Sequence, residues 1–399
     1  MEFVPLERES GYYETHSAYS TKPYKTFIPK PLPPEPKVLI DSLLWDLLDR
    51  ANRALGRLDG VSDLLPDPYL FTYFYVRKEA VLSSQIEGTQ STLSQLLLFE
   101  TEQAPGVPLV DVKEVLNYVN ALQYGISSIT SANRPPISLR LIKEMHRILM
   151  TDARGSRKYP GEFRQDQNWI GADDINKATY IGPPPDKVLE CLSELEKFIH
   201  DIPERTPVLM KAALAHVQFE TIHPFSDGNG RMGRLLITLL LCAESALQQP
   251  MLYLSLYFKA NRSEYYERLQ RVREKGDWEG WLRFFLQGIL ETSQQAVNAA
   301  QEILRLFDVD RKRISSLKQQ ANAPLRVHEI LQKKPIVSIG TVAKSLGMSI
   351  PTVTNGIQRL EKMGILREVT GGQRNRLYMY QEYVDILNEG TKPLESTNS

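Results

Sequence analysis

His223-Pro-Phe-Ser-Asp-Gly-Asn-Gly-Arg-Met-Gly-Arg234 sets one histidine, one aspartate, one asparagine and two arginines around three glycines. Gly228-x-Gly230-x-x-Gly233 satisfies the dinucleotide fingerprint literally, but that fingerprint needs a strand before the glycines and a second strand ending in an acidic residue roughly 20 residues on. Here the apolar spacing over residues 207–221 predicts a helix, and Glu244 falls inside another. No Lys-Ser or Lys-Thr follows the glycines, which excludes the phosphate-binding P-loop. A plain polar loop would explain glycines and an asparagine, but not these charged residues at this spacing. A physical reading accounts for all of them. A Gly-Asn-Gly turn exposes successive backbone N–H groups and opens a helix at Arg231, so the helix N-terminus makes an anion site. Arg231 and Arg234 are three apart and share a helix face, able to hold different phosphates of one nucleotide. Asp227 is placed to bind Mg²⁺ bridging phosphate oxygens, and His223 can take a proton near neutral pH.

Outward from this motif the chain reads as mainly helical. Its 399 residues suggest two or three cooperating units, and 42% hydrophobic with 24% charged residues suits a globular chain. Lys+Arg and Asp+Glu both number 48, so any charge-based argument must be local. Cys191 and Cys242 sit in apolar helical settings, which suggests buried thiols without a disulfide or zinc site. The first residues lack the apolar stretch of a signal peptide, and the longest apolar run, residues 235–242, is far short of a membrane span. A cytoplasmic protein with no membrane partner is expected. Residues 1–36, rich in Pro and Tyr, read as an arm without periodicity. Helices are expected at about 43–55, 69–86, 92–99, 111–126, 138–151, 187–200, 207–221, 231–247, 262–275 and 278–308. Between 158 and 185 the helical reading breaks, and residues 161–182 read as a short two-stranded flap closed by Pro183-Pro-Pro185. After Arg311-Lys-Arg313, helices at 325–331, 338–346 and 351–363 precede strands at 364–369 and 377–380, the order of a winged helix-turn-helix.

The motif at 223–234 resembles that of the Fic domain proteins, H-x-F-x-[D/E]-G-N-G-R-x-x-R, at all of its defined positions. The resemblance implies a Fic-type helical core with a β-hairpin flap, and a protein adenylyltransferase using ATP and Mg²⁺. It implies His223 as general base, Phe225 as core anchor and Asp227 as the metal ligand. Gly228, Asn229 and Gly230 become the anion nest, and Arg231, Met232, Gly233 and Arg234 continue the nucleotide site, with Arg234 on the γ-phosphate. The flap is similar to the family's target-docking hairpin, so Trp169, Ile170 and Gly171 would pair by main-chain bonds with an extended target segment. Tyr265 sits where relatives contact the nucleoside, although a buried helix aromatic fits it equally. Arg273 stands where some relatives carry a nucleoside-contacting asparagine, and His216 suits a core histidine.

Ser83-Ser-Gln-Ile-Glu-Gly88 resembles the family's inhibitory signature [S/T]-x-x-x-E-[G/N]. Ser83 and Glu87, four apart, share a helix face that Gly88 ends, and the resemblance implies that Glu87 reaches Arg234 and blocks the γ-phosphate. The expected division is 1–115, an N-terminal helical region with the inhibitory helix; 116–300, the Fic core; and 301–399, the winged helix and tail. Residues 325–387 hold nine Lys/Arg and five Asp/Glu, a mild excess of +4. Arg359, Lys362, Arg367, Arg374 and Arg376 fall on the second helix and wing, where phosphate contacts would be needed; DNA binding, protein docking and homodimerisation all suit such a unit. The expected substrate is a hydroxyl side chain of a protein, this chain included. A nucleotide-sensing DNA-binding regulator and an AMP-removing enzyme using Glu87 are the rival readings.

Overall fold

The computed structural model describes residues 8–17, 22–64, 68–102, 109–131, 137–151, 159–371 and 376–393. In chain order the first part comprises β1 (Gly11–His16), β2 (Tyr24–Pro29), α1 (Ser42–Leu64), α2 (Pro68–Ile86), α3 (Leu93–Glu102), α4 (Leu109–Thr130), α5 (Leu139–Leu149), β3 (Trp169–Ile170) and β4 (Tyr180–Ile181). It continues through α6 (Pro185–Ile199), α7 (Val208–Ile222), α8 (Asn229–Ala243), α9 (Ser255–Ala260), α10 (Arg262–Lys275) and α11 (Trp278–Ser315). The C-terminal part holds α12 (Asn322–Lys333), β5 (Ile336–Ser338), α13 (Ile339–Leu346), α14 (Ile350–Lys362), β6 (Leu366–Glu368), β7 (Leu377–Tyr380) and α15 (Gln381–Asn388).

Residues 209–222 of α7 are all buried, as a helix with apolar and small residues on every side must be. It packs against α6, α8, α10 and α11 and forms the centre of the core. The apolar run of residues 235–242 lies in α8, which packs on α7, α4 and α5. In α1, Leu44, Leu48, Ala51, Leu55 and Leu58 line one buried face that lies along α11. Helix α2 runs between α4 and α9, so its far end reaches the N-terminus of α8. No helix among the described residues is long and apolar enough to cross a membrane. Cys191 and Cys242 are free thiols, the first buried.

The winged helix-turn-helix appears as expected, with α13 and α14 joined at Gly347 and a three-stranded antiparallel sheet in the order β5-β7-β6. Gly347 ends α13 in the left-handed conformation at φ 61°, which glycine adopts without strain. Strand β7 is central and all four of its residues are buried. Arg374 lies outside the described residues. Helix α11 extends through the basic stretch 311–313, which had read as a break. Asp310 explains this: its buried carboxylate accepts from Tyr380 Oη at 2.8 Å and pairs with Arg313 at 2.6 Å. One helix thus joins the core to the winged helix.

One further expectation differs. The arm at 1–36 contains the β1–β2 hairpin, paired from Gly11↔Pro29 to His16↔Tyr24, with Tyr24, Phe27 and Ile28 buried; its alternation is masked by two exposed tyrosines on β1. Helices α9 and α15 and strand β5 are too short to declare a period. Asp111 lies in the first turn of α4, and its carboxylate accepts from Gln90 N–H at 3.0 Å.

The hairpin is anchored at its base by Arg8, whose guanidinium meets Glu279 with two bonds of 2.6 Å and also donates to Pro36 and Lys37 carbonyls. The Glu279 side chain is wholly buried. Burial would push its carboxyl up, but the bonds from Arg8 and from Leu39 N–H outweigh it and hold it below its ordinary value. That contribution is present above the unfolded carboxyl's pKa and is lost as the pH falls through the lowered folded one. Arg8→Ala leaves a buried charge short of its partner and is expected to lower unfolding stability by about 3–5 kcal/mol at neutral pH. The double change with Glu279→Ala is expected to cost less than the single one; denaturant titration of the three chains checks this.

Candidate active site

The motif lies in the turn between α7 and α8. His223 closes α7 in the left-handed region at φ 49°, ψ 59°, a conformation costly for a non-glycine residue and maintained only by strong surroundings. Those surroundings are Arg164 and Asn168 of the flap. Arg164 Nε donates to the His223 carbonyl at 2.9 Å, and its backbone N–H donates to the Pro224 carbonyl. Asn168 Nδ2 donates to the carbonyls of His223 and Phe225 at 3.2 and 3.1 Å. Beneath the loop, His146 of α5 stacks on Phe225 with ring centroids 3.6 Å apart. Gly161 N–H donates to His146 Nδ1, so Nε2 carries the hydrogen and donates to the Asp227 carbonyl at 3.0 Å. His146, Arg164 and Asn168 escape a reading by motif, because each acts on backbone atoms far away in sequence. The polar run Arg164-Gln-Asp-Gln-Asn168 is the only trace the last two leave in the sequence.

Gly228, at φ 76°, turns the chain into α8. Asn229 folds its amide back on the loop, accepting from Phe225 N–H at 2.9 Å and donating to Phe225 O at 2.8 Å. Its side chain is thereby engaged, and only its backbone faces the nest. Arg231 is buried, with Nη1 3.7 Å from Glu114 and with Nε and Nη1 lacking any hydrogen-bond acceptor. Buried guanidinium donors without acceptors are uncommon and suit a ligand anion. Asp227 Oδ1 accepts from Gly228 N–H at 2.7 Å. Among the described residues no group of three or more His, Cys, Asp or Glu could cage a metal. A single carboxylate beside an anion nest fits Mg²⁺, which keeps waters and shares phosphate oxygens.

Helix α2 delivers Ser83 and Glu87 to this nest. Arg234, 2% exposed, donates through Nε to Ser83 Oγ at 2.8 Å and through Nη2 to the Ser83 carbonyl at 3.0 Å and Glu87 Oε1 at 2.6 Å. The carboxylate makes one contact with the guanidinium, and Ser83 takes the two others. A Cβ on Gly230 would lie 2.3 Å from Glu87 Oε1, so the carboxylate sits directly on the glycine of the nest. Glu87 is 38% exposed at its side chain, against 2% for its partner.

The imidazole of His223 is half-buried with Nδ1 unpartnered. Burial, then the positive charges of Arg164 and Arg273, hold its pKa down to about 4, so it is neutral at pH 7 and free to accept a proton. Glu220, one turn earlier on α7, is buried against Gly233, and burial raises its carboxyl to about 7.

Two expected nucleotide contacts are not brought to the nest. Met232 is wholly buried in the core, and Tyr265 is 1% exposed, its ring 4.6 Å from that of Phe258 and its hydroxyl 2.8 Å from His216 Nε2. Met232, the fourth residue of α8, lies on the side that packs into the core, and Tyr265 joins the aromatic cluster of α9, α10 and α11. Its neighbour Tyr266 is 43% exposed. Arg273 stacks over Tyr180 at 3.9 Å and donates to the Glu220 carbonyl, joining the flap to the end of α7. In the flap, Trp169↔Ile181 and Ile170↔Tyr180 pair antiparallel, with Gly171 at φ 98°. Trp169 packs with Tyr24, Ile175 and Ile181, while Ile170 is exposed at the edge.

A helix N-terminus opened by Gly-Asn-Gly, a histidine before it and a β flap above it are the arrangement of a Fic-type fold. Residues 45–127 match the Fic/DOC family N-terminal region, residues 136–241 match the Fic/DOC family, and residues 324–367 match the winged helix-turn-helix DNA-binding family. The chain carries Fic/DOC family domains followed by a winged helix. Protein adenylyltransferase fic-1 of Caenorhabditis briggsae is 31% identical over 204 residues, 50% of this chain and 37% of that protein. Protein adenylyltransferase Fic of Drosophila melanogaster is 32% identical over 249 residues, 61% of this chain and 46% of that protein. The chain thus spans less than half the length of these curated relatives. The crystal structure of a Fic family protein from Desulfovibrio desulfuricans shares the fold at a TM-score of 0.56 and 20% identity, covering 86% of this chain and 97% of that one.

The tight seat of α8 can be tested without any substrate. A Cβ at Gly233 would meet Glu220 Oε1 at 2.4 Å and His216 Cε1 at 3.3 Å, both on buried side chains, whereas one at Gly56 in α1 meets nothing within 4 Å. Gly233→Ala is expected to destabilise by about 1–3 kcal/mol, and Gly56→Ala to stabilise by about 0.5–1 kcal/mol, measured by chemical denaturation.

Proposed function

We propose that the protein transfers AMP from ATP to a hydroxyl side chain of a protein, and that Glu87 restrains this activity. The observation that carries the reading is the Glu87 carboxylate seated on Gly230 and bonded to Arg234: an internal anion already occupies the cradle that a phosphate would need. The unfilled donors of buried Arg231 support it further. The names of the relatives agree, and the fold of the solved Fic proteins suits it.

In the proposed reaction the target hydroxyl oxygen bonds to the α-phosphorus, the bond from that phosphorus to the bridging oxygen breaks, and pyrophosphate leaves. His223, neutral at pH 7, takes the hydroxyl proton. The backbone N–H groups of 228–230 and the guanidinium groups of Arg231 and Arg234 stabilise charge on the phosphate oxygens. Mg²⁺, held by Asp227, would supply further charge neutralisation across the phosphates. The free edge of β3 at Trp169, Ile170 and Gly171 aligns an extended target segment by strand addition, and Tyr266, not Tyr265, faces the nucleoside. With Glu87 in place Arg234 is withheld from the γ-phosphate, so ATP binds with its phosphates misaligned, and small misplacements cost about 100-fold in rate. Residues 1–115, 116–300 and 301–399 serve as regulatory, catalytic and winged-helix parts, with α11 bridging the last two. Free thiols and ATP chemistry suit the cytoplasm.

Incubation with α-labelled and γ-labelled ATP tests the reaction. Label is expected on protein from the α-position alone, to rise by roughly 100-fold in Glu87→Gly, and to vanish in Glu87→Gly combined with His223→Ala. Label from the γ-position, or survival of signal in the double variant, contradicts AMP transfer by this site; equal labelling by wild type and Glu87→Gly favours a role for Glu87 in AMP removal.

The winged helix is proposed to bind duplex DNA through α14 and the wing, supported by the match to a DNA-binding family and by Arg359, Lys362, Arg367 and Arg376 on those elements. The full chain is expected to retard duplex DNA at low salt, with affinity falling linearly in log salt concentration. Absence of retardation at low salt favours a docking module.

A further inference from the structure

Between Ser83 and Glu87, α2 also carries Gln85, whose side chain the active site does not use. Its side chain points away from Arg234 and is buried at the junction of the inhibitory helix with the end of the winged helix. Gln85 Nε2 donates to the Thr391 carbonyl at 2.9 Å and to the Ser91 carbonyl at 2.8 Å. Lys259 of α9, buried at 6% exposure, donates through Nζ to Gln85 Oε1 at 2.7 Å, to the Gly390 carbonyl at 3.2 Å and to the Lys392 carbonyl. Asn388 Nδ2 donates to Ser94 Oγ at 2.6 Å, and Gly390 packs so closely on Leu256 that a Cβ there would lie 2.5 Å from its Cδ1. Upstream, Tyr383 of α15 meets Phe74 of α2 edge to face, 5.5 Å between centroids. Residues 388–392 therefore lie across the last turn of α2 as a strap, held by the Lys259 ammonium and the Gln85 amide.

That last turn of α2 ends in a glycine cap: Gly88, in the left-handed region at φ 98°, donates to the Gln85 carbonyl, and Thr89 N–H donates to the Ser84 carbonyl. Both acceptors belong to the turn on which the strap lies, and Glu87 itself, 38% exposed, is held at its tip by one bond, so its seat depends on the contacts that hold this turn. We propose that the strap at residues 388–392, through Gln85 and Lys259, keeps the end of the inhibitory helix wound and Glu87 on Arg234, so that the winged-helix part of the chain regulates the Fic site. Drawing α15 and the strap away from α2 would release residues 85–88 while leaving Ser83, and the buried core of α2, in place. This inference rests on the reading that Glu87 restrains AMP transfer.

The test uses the full chain with two independent changes: Lys259→Met, which keeps the apolar stem and removes the donor, and termination after Leu387, which removes the strap but keeps the buried Tyr383, Val384 and Leu387 of α15. Each is compared with wild type and Glu87→Gly for label from α-labelled ATP and for hydrogen exchange of amides 84–89. Both changes are expected to speed exchange there at least 10-fold, and to raise labelling at least 10-fold toward the Glu87→Gly level. Neither should add further labelling when combined with Glu87→Gly. If Glu87→Gly labels strongly while the strap variants stay at the wild-type rate, the strap proposal alone is overturned. If Glu87→Gly itself fails to label, the AMP-transfer reading falls and the strap has nothing to restrain. If one variant unfolds, shown by loss of its cooperative melt, the other decides. Global unfolding of both means that the segment supports the whole fold and overturns the proposal.

Discussion

Arg234 is a guanidinium with 2% of its side chain exposed, on a helix buried along most of its length. A charge in that position cannot stay without partners, since desolvation alone costs several kcal/mol per ion. Ser83 supplies two acceptors, one of them a backbone carbonyl that cannot move without unwinding α2, and Glu87 supplies one that can. This asymmetry gives the contact its character. The guanidinium is permanently tethered to α2, while the donor that meets Glu87 can exchange a half-exposed carboxylate for another anion. Much of the N-terminal helical region can be understood as the frame that brings α2 to this point: α4 and α9 hold its flanks, and Glu79, bonded to Ser255 N–H at 3.0 Å, fixes it to the start of α9.

The same constraint explains what could be read from the sequence. The 223–234 motif and the Ser83-to-Glu87 spacing are local patterns whose geometry follows from helix periodicity and glycine turns, and the structure brings them together at the N-terminus of α8. The winged helix was legible for a similar reason, being a succession of capped helices and turns. What escaped depends on distant pairing. Nothing local to His146 announces that its ring carries the loop through Phe225 and Asp227 O, and nothing near Arg164 announces that it binds the carbonyl of His223. Spacing assigns Met232 and Tyr265 to a helix face without saying which face the core claims, and both side chains are buried. Ser83 takes Nε and shares Nη2 of Arg234, and Glu87 meets the guanidinium through a single bond to Nη2.

Helix α11 and the strap make the winged helix part of the same mechanical unit. Asp310, Arg313 and Tyr380 tie the base of α11 to strand β7, and Lys259 and Gln85 tie the segment after α15 to the end of α2. The two ends of the C-terminal part thus grip the core at separate places, one through a continuous helix and one through a few hydrogen bonds. The second grip is the one that reaches the nest.

The most direct test of the central claim is a pair of crystal structures, wild type and Glu87→Gly, each with Mg·ATP. The account predicts that in wild type Arg234 stays on Glu87 and the phosphates lie displaced, whereas in Glu87→Gly the guanidinium meets the γ-phosphate at about 2.7–2.9 Å and the α-phosphate faces the imidazole of His223. An identical nucleotide pose in both structures, with Arg234 still held by Glu87 in wild type, would contradict it.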